Sequence, residues 1–160
     1  DLVGSWQLES WTIGYSDRDD FSSPFGEDPQ GLLLYTADGW MSASIARSGR
    51  KLLPENINFR KLPDAVKADA FASYFHYAGR YRVVDGDVIH YVTQSLNPNF
   101  PGSQQLRHAE LDGQTLVLSE FLRPAQLGIA IAVGVFWWAH RFIGLGATTF
   151  SRTGLGHWLG

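Results

Sequence analysis

The sequence predicts an all-β fold, an eight-stranded antiparallel up-and-down barrel carrying one inserted helix. Three observations predict it. The dipeptide Asp-Gly occurs at Asp38-Gly39, Asp85-Gly86 and Asp112-Gly113, each time between two apolar-rich runs. Asp-Gly favours the tight turn whose twist matches paired strands, so each occurrence marks a hairpin. Only one segment has a helical apolar period, and there is no alternation of strands with helices. Consecutive hairpins imply a meander, whereas a Greek-key sandwich needs long crossovers. Eight strands enclose room for side chains or for one small ligand.

Taken in order, Val3 to Ile13 is the first strand, with Trp6 and Leu8 on one face and Ser5, Gln7 and Glu9 on the other. The hairpins pair Gly31–Thr36 with Trp40–Ala46, Arg80–Val84 with Val88–Gln94, and Gln105–Leu111 with Thr115–Phe121. Ser48 to Arg60 has no period and reads as a loop. The helix begins at Pro63 and Asp64, residues suited to a first turn. Leu62, Val66, Ala70, Tyr74 and Tyr77 recur at helical spacing until Gly79 stops the run. Ile129 to Trp138 alternates branched with small residues and reads as the last strand. The predicted organisation is a barrel domain over residues 1–142 and a C-terminal extension over 143–160, the latter rich in Gly and Thr.

At 160 residues the chain is sized for one domain, and 44% hydrophobic with 18% charged residues is a globular balance. The absence of cysteine excludes thiolate catalysis, cysteine-based zinc sites and disulfides. A net charge of −3 argues against nucleic-acid binding. The uncharged stretch 127–139 is too short to span a bilayer, which takes about 20 residues. No signal-peptide pattern is present, so the expected location is cytoplasmic, with no membrane partner. Aromatic residues make up 14%, and such rings suit the lining of a small-molecule pocket.

Several residues could carry chemistry. His90 shares a strand face with Val88, Val92 and Gln94, and an imidazole on an apolar face could act as general acid or base. It could equally be a core histidine bonded to a neighbouring carbonyl. Gln105 and Arg107 share a face of the next strand, where they would supply donors to a carbonyl or carboxylate if they point inward. An outward Arg107 covering the barrel wall is the other reading. His108 lies on the opposite face. Candidate lining residues are Tyr35, Trp40, Phe71, Tyr74, Phe75, Tyr91 and Trp138, with core filling as their commoner role. Phe71, Tyr74, Phe75 and Tyr77 would lie on or beside the helix, either as a lid over the barrel mouth or as simple packing of the helix onto the sheet. Glu27 and Asp28 form a loop pair suited to capping amides, and the Asp17–Asp20 run suits a solvated surface. Five scattered histidines give no metal-ligand spacing, with His90 and His108 the only plausible pair. No phosphate loop, serine elbow or dinucleotide fingerprint occurs. No metal and no cofactor is expected.

An ordered set of motifs resembles the small lipocalin-like domain family. It comprises Gly4-Ser5-Trp6, Pro24 through Gly31, Tyr35-Thr36-Ala37-Asp38-Gly39 and Met41-Ser42-Ala43. It continues with Gly79-Arg80-Tyr81, His90, Ser95 through Asn99, and Gln105 with Arg107. The similarity covers residues 2 to 121. It implies a calycin-type barrel whose Trp6 closes the floor beneath an arginine from the last strand, which the position of Arg141 suits. The family's frequent second His and the Glu two residues later are replaced by Tyr91 and Thr93. Activities that need that pair are therefore not implied.

The function expected from these residues is binding of a small apolar molecule inside the barrel by a cofactor-free enzyme. Isomerisation, cyclisation or hydration suits a closed cup with a few donors, with His90 as acid/base and Gln105 and Arg107 as polarising groups. The alternative is a non-catalytic carrier or sensor of a hydrophobic ligand. A third reading is an interaction module that forms a homodimer through the edge of its apolar last strand.

Overall fold

The computed structural model of the chain describes residues 1–15, 18–120 and 144–152. Its strands are β1 (Gly4–Tyr15), β2 (Arg18–Ser22), β3 (Gln30–Tyr35), β4 (Trp40–Ala46), β5 (Tyr74–Val84), β6 (Asp87–Ser95), β7 (Gln104–Asp112), β8 (Thr115–Ser119) and β9 (Gly144–Arg152). One helix, α1 (Asp64–Ala72), lies between β4 and β5, preceded by a short turn of 3-10 helix at Phe59–Lys61. Strands β3 to β9 pair antiparallel in chain order, and β1 pairs with both β3 and β9. That last ladder closes an eight-stranded barrel, and β2 adds a further strand to the far half of β1. No helix among the described residues is long and apolar enough to cross a membrane.

The three Asp-Gly turns sit where the sequence puts them. At Asp85-Gly86 both residues have positive φ, 52° and 85°, as a two-residue hairpin turn with matching twist requires. Alternation then sorts the side chains. Leu33 and Tyr35 of β3, Met41, Ala43 and Ile45 of β4, Val88, His90 and Val92 of β6, and Leu116 and Leu118 of β8 are all buried. Trp6 and Leu8 are buried as predicted, and a register shift between Leu8 and Ser10 then turns Ile13 inward on the odd positions.

The floor is built on Trp6. Its indole Nε1 donates to the Leu2 carbonyl at 2.9 Å, and the Arg152 guanidinium lies 4.8 Å from its ring centroid. Arg152 also donates to the Asp1 carbonyl at 2.8 Å. The arginine over Trp6 is thus Arg152, its direct cross-strand partner, where the resemblance suggested Arg141.

Two element assignments change. The strand that closes the barrel is Gly144–Arg152, which the sequence reading left in an extension beginning at 143. Phe150 is buried, but the run of Gly, Ala and Thr before it carries almost no hydrophobic period in the sequence, while its threonines suit a pleated strand. The strand expected at 129–138, Trp138 and Arg141 lie outside the described residues. The helix is also shorter than predicted. It ends at Ala72, and Tyr74, Phe75, His76 and Tyr77 belong to β5, paired with β4 from Ala46↔Tyr74 to Trp40↔Arg80. Helix α1 buries none of its residues, so the aromatic run gains more from cross-strand packing than from extending that helix.

Gly79, which the sequence reading used as a helix stop, has a different task. It sits at a register shift between β5 and β6, where an added Cβ would collide with the Tyr91 carbonyl. Gly79→Ala is expected to lower stability by about 1–3 kcal/mol through this overpacking, measured as a lower urea midpoint at unchanged slope.

Candidate functional site

Among the described residues the most enclosed polar group is His90, which has no solvent exposure. Its Nε2 is 2.6 Å from the Tyr35 hydroxyl and its Nδ1 is 2.8 Å from the Tyr77 hydroxyl. Three strands supply this set: β3 brings Tyr35, β5 brings Tyr77, and β6 brings His90. Tyr81, the cross-strand partner of His90, packs its ring 4.6 Å from that of Tyr35 and donates its hydroxyl to the Thr36 carbonyl. Nearer the opposite end, Phe75, Tyr77 and Phe100 form a ring cluster with centroids 5.6–5.8 Å apart.

Burial governs the protonation of this cluster. It lowers His90 to about 3, with a smaller contribution in the same direction from Arg107. The imidazole is therefore neutral at physiological pH, not poised near working pH as the sequence reading expected. Burial also raises the phenol of Tyr35 well above its ordinary value, and that of Tyr77 likewise, while Arg107 opposes both shifts. A neutral imidazole has one N–H and one lone pair. Held between two hydroxyls, it accepts from one tyrosine and donates to the other, so one phenolic proton remains free for a further acceptor.

The register settles the orientation of β7. Gln105 pairs with His90 and Arg107 pairs with Val88, both inward positions, so Gln105 and Arg107 project to the interior side. Arg107 is 18% exposed, donates to the Leu106 carbonyl at 2.8 Å and lies 3.5 Å from Glu120. Gln105 donates to the Ser103 hydroxyl at 2.9 Å. His108 is on the opposite face, bonded to Asp87 at 2.9 Å, so it forms no pair with His90. Among the described residues no cluster could hold a metal ion.

The other candidate lining residues divide. Tyr35 is buried inside, and Phe75 packs against the core. Trp40 does not line the interior, because alternation on β4 turns it outward, 46% exposed beneath the Arg80 guanidinium. Tyr91 is also outward, since its cross-strand neighbours are the exposed Arg80 and Gln104. Phe71 is exposed on α1 rather than turned onto the barrel. Tyr74, on β5 instead of a helix, stacks beside Arg50 and borders a shallow depression with His76, Gln94, Ser95 and Leu96. Gln94 does not share the face of His90, because the register shift at Ala78/Gly79 reverses the parity of β6 beyond Val92. Glu27 and Asp28 are exposed in their loop. The residue that sequence reasoning misplaced is Tyr77. Its signal was the spacing of Phe75, Tyr77 and Gly79 at every second position, as in a strand.

A β-barrel closed on itself, with a tryptophan floor under a cross-strand arginine and polar groups gathered inside, defines a cup of the type that takes one small hydrophobic molecule. The chain belongs to the lipocalin-like domain family, whose model matches residues 3–141. Among solved structures it is similar to a lipocalin-like protein from Bacteroides uniformis, at 14% identity and a TM-score of 0.45 over 95% of this chain and 98% of that one. An uncharacterized protein from Bacteroides eggerthii is similar at 13% identity and a TM-score of 0.44, over 96% of this chain and all of that one. No curated protein matches the chain.

The low value for His90 makes stability pH-dependent. Between about 3 and its ordinary 6.5 the unfolded chain binds a proton at His90 that the folded chain does not, so stability falls as pH falls through that range. The expected loss from this group between pH 7 and pH 4.5 is about 2–3 kcal/mol. Urea denaturation at the two pH values should show it, and His90→Gln should flatten the difference.

Proposed function

We propose that the chain binds a small, largely apolar molecule inside the barrel and acts on it without a cofactor, by hydrogen-bond polarisation of one oxygen. The observation that carries this reading is the buried imidazole with a tyrosine hydroxyl on each ring nitrogen. Tyr77 stands closer than Tyr35 to the apolar ring cluster, so its proton is the one offered to a ligand. The implied order is Tyr35 O–H to Nε2, then Nδ1–H to the Tyr77 oxygen, then Tyr77 O–H to a ligand carbonyl or enolate. Each bond in such a chain polarises the next.

His90 then works as the hub that fixes the direction of the chain, not as a titrating base. With both phenols pushed upward, neither tyrosine releases its proton outright near neutral pH. The site therefore suits reactions in which a strong donor stabilises developing negative charge on oxygen, such as isomerisation or cyclisation through an enolate, with a water molecule taking the proton from the carbon next to the carbonyl and water returning one to carbon as the enolate collapses. Arg107, facing the same interior, favours that charge. Gln105, Tyr35 and Phe75 supply shape and a second donor. Trp40, Phe71, Tyr74 and Tyr91 have no part in this site.

The carrier reading is favoured by one specific feature: both nitrogens of His90 are already engaged, as in a group that only orients what it binds. Deuterium exchange separates the two. The molecule that co-purifies, identified by native mass spectrometry, is returned to the protein in D2O. An enolising enzyme incorporates deuterium, with Tyr77→Phe slowing incorporation by about 100-fold, the scale of one lost oxyanion donor. Recovery of the ligand unlabelled by the wild-type protein would leave only the carrier.

A further inference from the structure

The segment between β4 and β5, residues 47–73, exposes what a folded domain ordinarily hides. Of the large apolar side chains exposed among the described residues, Leu52, Leu53, Ile57, Phe59 and Phe71 all belong to it, with Leu52 at 96% and Phe59 at 67%. Only Leu62 turns a large apolar side chain inward, and α1 buries nothing. Single exposed apolar residues need no explanation, but five within one insert do.

Charge is concentrated there as well. Arg47, Arg50, Lys51, Arg60, Lys61 and Lys67 stand against Glu55, Asp64 and Asp69, a surplus of three positive charges. The whole chain carries −3, so the remainder carries −6. Arg50 is occupied in fastening the insert, donating to the Ser73 hydroxyl and the Ala70 carbonyl, and Lys67 pairs with Asp64. Arg47, Lys51, Arg60 and Lys61 are exposed, and no carboxylate among the described residues is within ion-pairing distance of them.

The insert leaves the barrel at the end opposite the floor, because β4 runs from Trp40, level with Tyr35 and Gly4, away to Ala46.

We infer that this insert is an interfacial docking surface for an anionic phospholipid bilayer. Apolar side chains interleaved with unpaired cations match the boundary between headgroups and acyl chains, where the former are buried and the latter face phosphate. A second copy of the chain is the poorer partner, because two such surfaces carry like charge. Nucleic acid would leave the exposed leucines and phenylalanines in water. No membrane partner is expected from the sequence; the surface proposed here departs from that expectation, being peripheral and needing no spanning segment.

The test is co-sedimentation of the full chain with large unilamellar vesicles, either pure phosphatidylcholine or a mixture with phosphatidylglycerol. Binding should require phosphatidylglycerol and weaken at least fivefold between 50 and 500 mM NaCl, concentrations chosen to move the screening length from roughly 14 to 4 Å. The double variant Lys51→Glu, Lys61→Glu should lose binding at least tenfold, and Leu52→Asp, Phe59→Asp comparably. All four positions are exposed, and matching far-UV circular dichroism confirms the fold. No binding, equal binding to pure phosphatidylcholine, or unchanged binding by both variants overturns the proposal. Dimerisation that Phe59→Asp abolishes, without vesicle binding, overturns it in favour of self-association.

Discussion

Everything inside this molecule depends on the ladder between β1 and β9. Until it forms, the sheet has two faces and each could meet water. Once it forms, the parity of every strand position becomes an assignment to the interior or to solvent. His90, Tyr35 and Tyr77 are then committed to a low-dielectric space with little or no solvent exposure. They bond to one another with one phenolic proton left over, and among the described residues no buried side-chain polar atom lacks a partner. The cost of an unmade hydrogen bond there exceeds the worth of a made one, so the triad constrains the barrel as much as the barrel creates the triad.

That environment decides the chemistry more than residue identity does. A histidine in water is a switch near neutrality, whereas His90 inside the barrel is a neutral connector with one donor and one acceptor. Its two phenolic neighbours are likewise held in their neutral forms by burial, the first-ranked cause for both. Among the described residues Arg107 is the one charge that reaches all three from the inward face of β7, and it favours negative charge on the phenols while disfavouring positive charge on the ring. A site of this kind is biased toward stabilising an oxyanion and against accepting a proton.

The readable part of the fold was the part written in local turn chemistry. Asp85-Gly86 fixes a hairpin through two positive-φ residues, and from that hairpin the parity of His90 follows. Gln105 and Arg107 follow in turn across the next ladder. The parts that escaped had ambiguous or absent periods. Tyr74 and Tyr77 satisfy a helical spacing, while Phe75, Tyr77 and Gly79 satisfy a strand spacing, and cross-strand partners outside the local sequence decided between them. Gly144–Arg152 has a sequence of Gly, Ala, Thr and Ser around Leu145 and Phe150, with no clear hydrophobic period, so closure rests on a partner strand that lies at the start of the chain. The register shift near Gly79 moved Gln94 to the other face, an effect that alternation alone cannot foresee.

The two ends of the barrel are chemically opposite, and this orders the interior between them. At the floor, Trp6 is wholly buried under Arg152, which is tied to Asp1 across the full length of the described chain. At the other end Phe75 pairs with Ile45, one step from the apolar, cationic insert. Moving from the insert toward the floor, the inward side chains of β5 run Phe75, Tyr77, Gly79 and Tyr81, from a ring without a hydroxyl to rings that carry one. A molecule with a hydrocarbon body and a single oxygen would be matched in one direction only, its oxygen toward His90 and its body against Phe75 and Phe100. In the proposed reading the same gradient makes Tyr77 the phenol such an oxygen meets first, with Tyr35 behind the imidazole on Nε2.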